Sequence, residues 1–191
     1  MPMTCMIFLW RMRDYRCSSP ELARHHKILK RLETGVMAGA ADDDARWMRQ
    51  ALQLAREGEK TPGANPIGQG YNEVAMEHDA TAHAEIVAMR RAGATLSCEE
   101  MRGAVLYTTL QPCGMCTMAS IWAKIGRIVY GAGRGDVHDM YFEDRHFSTE
   151  NFIRDAFKDD ISLEGGVLRQ ECAALYVPPG AKVPEDQQFN R

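Results

Sequence analysis

The stretch AVLYTTLQPCGMCTMASIWAKIGRIVYGA (residues 104–132) decides the fold. Its first seven residues are rich in β-branched and aromatic side chains and read as a strand buried on at least one face. Pro112 then opens PCGMCTMASIWAKIG (112–126), a helix with Gly126 at its end. RIVYGA (127–132) is a second strand. The same alternation continues on both sides. Upstream, HAEIVAMRRAG (83–93) reads as a helix closed by Gly93. DDDARWMRQALQLAREGEK (42–60) reads as an amphipathic helix with acidic residues at its start and Trp47, Ala51, Leu54 and Ala55 along one stripe. Downstream come a helix (148–157), a short strand and turn (161–166) and a last helix (167–176). Helices alternating with strands predict a layered α/β domain.

The 191 residues suffice for one such domain with a real core and some additional chain. Three parts are expected: a basic N-terminal extension (1–40), the α/β domain (41–177) and a flexible, disordered C-terminal tail (178–191). In the extension, PELARHHKILKRLETG (20–35) is helix-like, with Arg24, Lys27, Lys30 and Arg31 making one side basic. That side is a solvated face or a docking arm. His25 and His26 are adjacent, so they point in different directions on a helix and make a poor ligand pair. VMAGAA (36–41) is a small-residue linker.

Hydrophobic content of 45% and charged content of 26% are those of a soluble globular protein. The apolar run MIFLW (6–10) is too short to span a membrane and lacks the flanks of a secretory signal. The six cysteines form no evenly spaced framework, and the tight pair Cys113/Cys116 fits a metal or redox site in a reducing, cytoplasmic setting. Net charge is −3, divided as +4 over residues 1–40 and −7 over residues 41–191. An acidic main domain is a poor match for tight nucleic-acid binding, which depends on neutralising phosphates.

The chemistry converges on His83-Ala84-Glu85, Pro112-Cys113 and Cys116. Zinc takes imidazole nitrogen and thiolate sulfur in tetrahedral geometry. On a helix Cys113 and Cys116 share a face, and the helix amino end favours the thiolate. The chain between His83 and Cys113 has room for a helix, a turn and a parallel strand. Three protein ligands leave one position for water, whereas a structural site is closed by four. His78 and Cys98 are the candidates for a fourth ligand, expected instead in a loop and a turn. Glu85, beside a ligand but not needed as one, is placed to act as general base and acid. H-x-E followed by P-C-x-x-C is the signature of zinc-dependent base deaminases.

On these motifs, residues 42–176 resemble the cytidine deaminase superfamily, and most closely its branch of guanine, tRNA adenosine and cytosine deaminases. The resemblance implies a three-layer α/β/α architecture around a five-stranded sheet, a Zn2+ cofactor, hydrolytic loss of an exocyclic amine and a homodimer. It also implies that Asn72, in GYN, hydrogen-bonds the base, and that the Ala84 N–H meets the base's carbonyl oxygen. Alone, Asn72 would read as a turn residue. IWAKIGRIVYGAGRGDVHDMYFED (121–144) is similar to guanine deaminases. There an Asp and a following aromatic cluster shape the purine pocket, which makes Asp136 a candidate acceptor for a purine N–H. GYNEVAMEHDATAHAEIVAMR (70–90), IGRIVYGA (125–132) and GGVLRQECAALY (165–176) look equally like tRNA adenosine deaminases, although the basic C-terminal helix usual there is lacking. LYTTLQPCGMCT (106–117) looks like fungal cytosine deaminase. Guanine is the first expectation, as a small-molecule substrate with no membrane partner.

One stretch departs from the family pattern. In NPIGQGYN (65–72) only Gln69 separates Gly68 from Gly70, where these enzymes carry a β-hairpin of roughly twelve residues. The first hairpin is therefore expected to be truncated. The outcomes are a reduced sheet with an exposed edge, a defective product that is catalytically impaired and serves as a scaffold, or a gap filled by TCMIFLW (4–10) from the N-terminus.

Overall fold

The structure, a computed structural model, describes residues 5–10, 40–57, 66–142, 147–156 and 161–188. The basic helix expected at 20–35 and its docking arm lie outside the described residues. Five strands form one sheet: β1 (Cys5–Trp10), β2 (Gly68–Tyr71), β3 (Ala104–Leu110), β4 (Arg127–Ala132) and β5 (Ser162–Gly165), in the order β2-β1-β3-β4-β5. β1 is antiparallel to both neighbours, with Met6 opposite Gly70 on one side and Thr108 on the other. β3, β4 and β5 are mutually parallel.

Helices cover both faces. α1 (Ala40–Glu57) packs on β1 and β3, and the short α6 (Arg169–Ala173) on β4. α3 (Ala84–Leu96) packs on β2 and β1 from the other side, against α4 (Gly114–Trp122). Two further helices, α2 (Val74–Glu77) and α5 (Thr149–Asp155), lie in the connections. Side chains alternate across the sheet with period two. Leu106 and Ile128 enter the core beneath α3 and α4, while Tyr107 and Val129 enter the core beneath α1 and α6.

The hairpin missing from NPIGQGYN is not made locally, but the sheet is not reduced. β1, from the segment read as an extension, lies between β2 and β3 and fills the position. GQG is itself the strand. Gly68 and Gly70 face α3, where Ala84, Ala88 and Ala92 recur at four-residue spacing. A Cβ on Gly68 would collide with the Ala88 carbonyl oxygen, and one on Gly70 would lie 2.9 Å from that of Ala84. Only glycine lets the helix approach this closely. Arg91 covers the outer edge of β2, donating to Gln69 O at 3.0 Å and to Glu73 at 2.8 Å.

Several boundaries move, each for a visible reason. α1 begins at Ala40, taking the last two alanines of the expected linker, which are strong helix formers. Its buried side holds the expected Ala51, Leu54 and Ala55 together with Met48 and Leu52, while Trp47 lies half-buried beside Arg46. α3 runs past Gly93 to Leu96, because burial of Leu96 continues the Ala88–Ala92 face; Ser97 then caps it with φ 51°. Of the tail expected at 178–191, residues 178–188 are among those described. Val177 accepts from His138 N–H at 2.7 Å and donates to the Tyr141 hydroxyl, and a 3-10 turn covers Glu185–Gln187.

Asp44 ties α1 to the sheet. Arg127 grips its carboxylate with both terminal nitrogens, at 2.9 and 2.6 Å, and the Tyr107 hydroxyl donates to it at 2.7 Å. Arg127→Met leaves that carboxylate buried without its cation. Because the Arg127 side chain keeps 28% exposure, the expected cost is at the low end for a broken buried pair, about 3 kcal/mol. Urea denaturation measures it as a lowered midpoint at unchanged slope.

Candidate metal centre and active site

Two helix amino ends converge below the sheet. His83 is the N-cap of α3 and Cys113 the N-cap of α4, and Cys116 follows in the first turn of α4. The loop that delivers His83 is braced by Asp79. Its carboxylate accepts from the Thr81 N–H and hydroxyl at 2.8 and 2.7 Å and from Arg90 at 3.2 Å. These hydrogen bonds, led by Thr81, hold Asp79 below its usual range. In α4 the Thr117 and Ser120 hydroxyls donate to the carbonyls of Cys113 and Cys116, at 2.9 and 2.8 Å. Thr149 of α5 donates to Pro112 O at 2.8 Å.

The His83 Nδ1 lies 3.6 Å from the sulfur of Cys113 and 3.6 Å from that of Cys116. The three potential ligand atoms fall within 4.8 Å of one another. Zinc bonds of about 2.3 Å to sulfur and about 2.0 Å to nitrogen, at a tetrahedral angle, separate S and N by about 3.5 Å. The donor set therefore fits zinc in identity and spacing. Among the described residues neither His78 nor Cys98 joins the group. His78 is the left-handed C-cap of α2, and Cys98 is buried just beyond α3.

The two thiols differ without the metal. A hydrogen bond from Cys116, helped by His83, lowers Cys113 to about 4 despite its burial. Burial above all raises Cys116 well above the usual thiol value. Glu85 is buried in α3, its carboxyl in hydrogen-bond contact with Cys116. Burial first, and the charge of Cys113 second, push its carboxyl up to about 7. Cys116→Ser is expected to abolish stoichiometric zinc, since it replaces a buried thiolate by a hydroxyl that stays protonated; metal analysis of the purified protein reads this directly.

His83 and Cys113 open into a cavity of about 770 Å³. Its walls are mostly apolar and aromatic, including Tyr141, Phe142, Phe147 and Phe152, with Gln111 and Arg134 as polar members. Ala84 is the first residue of α3, so its N–H belongs to the helix end whose donors have no intrahelical acceptor. Asn72 and Asp136 are placed otherwise. The Asn72 side-chain oxygen accepts from Val74 N–H at 3.1 Å, the turn role that the residue alone suggested. The Asp136 carboxylate is held by the Arg169 guanidinium and by Gly133 N–H at 2.8 Å. Neither residue lines the cavity with His83. Glu143 and Asp144 of the aromatic cluster lie outside the described residues. Sequence reasoning missed Gln111, Arg134 and Phe152. Gln111 precedes the Pro-Cys motif, but a single Gln carries no signal of its partners. The Arg134 N–H donates to Gln111 Oε1 at 2.9 Å, and Gln111 Nε2 donates to Glu150 at 3.1 Å.

Known proteins resemble this chain in the same terms. The family model of the cytidine and deoxycytidylate deaminase zinc-binding region matches residues 41–132. A tRNA-specific adenosine deaminase of Buchnera aphidicola subsp. Schizaphis graminum is 35% identical over 142 residues, covering 69% of this chain and 90% of that protein. The guanine deaminase of Bacillus subtilis is 32% identical over 109 residues, 51% of this chain and 70% of that one. Among solved structures, a guanine deaminase from Nitrosomonas europaea superposes with a TM-score of 0.58 at 26% identity, over 86% of this chain and 96% of its own. With a His/Cys/Cys group that suits the metal and an identity this extended, the chain belongs to the cytidine and deoxycytidylate deaminase family of zinc-binding, hydrolytic enzymes.

Proposed function

We propose that this deaminase acts on a purine base, guanine first, and releases ammonia. The observation that carries the reading is the cavity at His83 and Cys113, whose lining of aromatic side chains suits a flat bicyclic ring. Bound zinc supplies Lewis acidity that makes water a nucleophile at neutral pH. His83, Cys113 and Cys116 would hold that ion. The buried Glu85 carboxyl takes a proton from the attacking water and returns it to the departing amine, so one group serves as base and then acid. In this reading the Ala84 N–H, at the free amino end of α3, receives the base's carbonyl oxygen. The aromatic walls stack the ring and exclude bulk water.

A second reading, adenosine within tRNA, is favoured by the similarity to tRNA-specific adenosine deaminase over 69% of the chain. The −7 charge of residues 41–191 weighs against it. A homodimer belongs with either reading. Met115, Met118 and Trp122 form an exposed apolar stripe along α4. Met115 of that stripe and exposed Phe147 also line the cavity, so a second copy seated on the stripe would cover part of the cavity's exposed apolar lining. The deciding experiment measures ammonia from zinc-assayed protein with guanine, adenine, cytosine, their nucleosides and tRNA. Release from guanine above the others supports the purine-base reading; release from tRNA alone, or from cytosine alone, overturns it.

A further inference from the structure

One polar side chain of the cavity wall is held from two sides. Gln111 follows Leu110, the last residue of β3, keeps 7% exposure and lines the cavity together with His83 and Cys113. Its Oε1 accepts from the Arg134 main-chain N–H at 2.9 Å. Its Nε2 lies 3.1 and 3.2 Å from the two carboxylate oxygens of Glu150 and donates to them. A main-chain N–H only donates and a carboxylate only accepts, so the two contacts admit one orientation of the carboxamide and forbid the flipped one. Glu150 is held in turn. It is the second residue of α5, whose Thr149 hydroxyl donates to the Pro112 carbonyl oxygen at 2.8 Å and whose Phe152 ring leaves no room for a Cβ on Gly114. α5 is thereby fastened to residues 111–114, the stretch that delivers Cys113. The Tyr130 hydroxyl reaches the same carboxylate at 3.4 Å.

We propose, resting on the purine reading above, that Gln111 is a specificity-determining residue of this deaminase and that Glu150 is the residue that positions it. A carboxamide that can turn over offers a donor or an acceptor at the same place and accommodates either partner. One locked from both sides offers a fixed pattern, and a base whose edge does not match that pattern leaves buried polar groups unpaired. Guanine and adenine differ in this respect: guanine has a carbonyl oxygen and a ring N–H where adenine has an amine and a bare ring nitrogen. The Gln111 carboxamide sorts the two by its orientation. Glu150 does not line the cavity and acts only through Gln111, by fixing that orientation.

The test is equilibrium binding of guanine and adenine to zinc-loaded, full-length Glu85→Gln protein, in which turnover is suppressed. Guanine is expected to bind about tenfold or more tightly than adenine. Adding Glu150→Ala is expected to erase that preference. Glu150→Gln, which still accepts from Nε2 but can also donate to a turned Oε1, is expected to keep part of it. Gln111→Ala should erase the preference as Glu150→Ala does, and combining the two should change nothing further, because one residue acts through the other. Tyr130→Phe should leave the preference intact. With Glu85 in place, Glu150→Ala should raise KM for guanine more than it lowers kcat. Equal zinc content and melting temperature separate a freed carboxamide from a lost fold. If Glu150→Ala does not fold, Glu150→Gln decides: an undiminished preference there overturns the inference. So does a preference that survives in Glu150→Ala, or effects of Glu150→Ala and Gln111→Ala that add. Ammonia from guanine with no preference for it over adenine would reject this inference and leave the purine reading standing. Binding of neither base, with no ammonia from either, would reject the purine reading and this inference with it.

Discussion

Glu85→Ala protein is expected to retain a full complement of zinc and to lose turnover by about 10²–10⁴-fold or more. The two halves of that result test different things. Retained zinc follows because His83, Cys113 and Cys116 already satisfy the ion's preference for nitrogen and sulfur, and Glu85 is not one of them. Lost turnover follows because the two thiolates neutralise the dication's formal charge, which makes a proton acceptor beside it more important. A carboxyl that burial has pushed up to about 7 can both accept and return a proton near neutral pH. Glu85→Gln sharpens the test, since it keeps the shape and the contact with Cys116 while removing the titration. Zinc analysis alongside an ammonia assay is the measurement. Either variant working at full rate with zinc bound would remove Glu85 from the mechanism, and zinc lost from both would make it a structural prop of the metal group.

What the sequence made legible was what local chemistry encodes. The strand–helix–strand of residues 104–132 is written in propensity, a proline and a glycine, and appears within a few residues of its expected limits. The metal group is equally local: two N-caps and an i+3 thiol place three donors once the strands run parallel. The long-range partners were not legible. Asp136 reads as a free loop carboxylate until Arg169, thirty-three residues later, is seen to grip it. Gln111 and Glu150 meet from elements thirty-nine residues apart. Glycine at 68 and 70 reads as a gap because a strand normally advertises itself by large side chains. Here the information lies in the absence of a side chain, opposite three alanines of α3. The pairing of β1 with β2 and β3 was the hardest to read, because backbone hydrogen bonding carries almost no sequence signature.

That pairing yields the largest stability effect. Deleting residues 1–12 is expected to abolish cooperative melting and zinc binding together. β1 is not an edge ornament: it lies between β2 and β3, and both α1 and α3 pack against it. Without it β2 has no strand beside it, and four residues with two glycines cannot persist alone. The seat of α3 then disappears, because the close approach at Gly68 and Gly70 exists only while β2 is held in the sheet. His83 begins that helix, so the metal group loses its one nitrogen donor. A domain's net stability of about 5–15 kcal/mol does not absorb the loss of an internal strand that two helices cover. Gly70→Val attacks the same joint more gently: its side chain would meet Ala84 O and Val87, pushing α3 off the sheet while β1 remains. It is expected to lower the melting temperature and weaken zinc retention without abolishing the fold. Melting curves and zinc content of the two variants, read side by side, decide the matter. If the deletion leaves both unchanged, β2 pairs with β3 directly, and residues 5–10 are dispensable to the sheet.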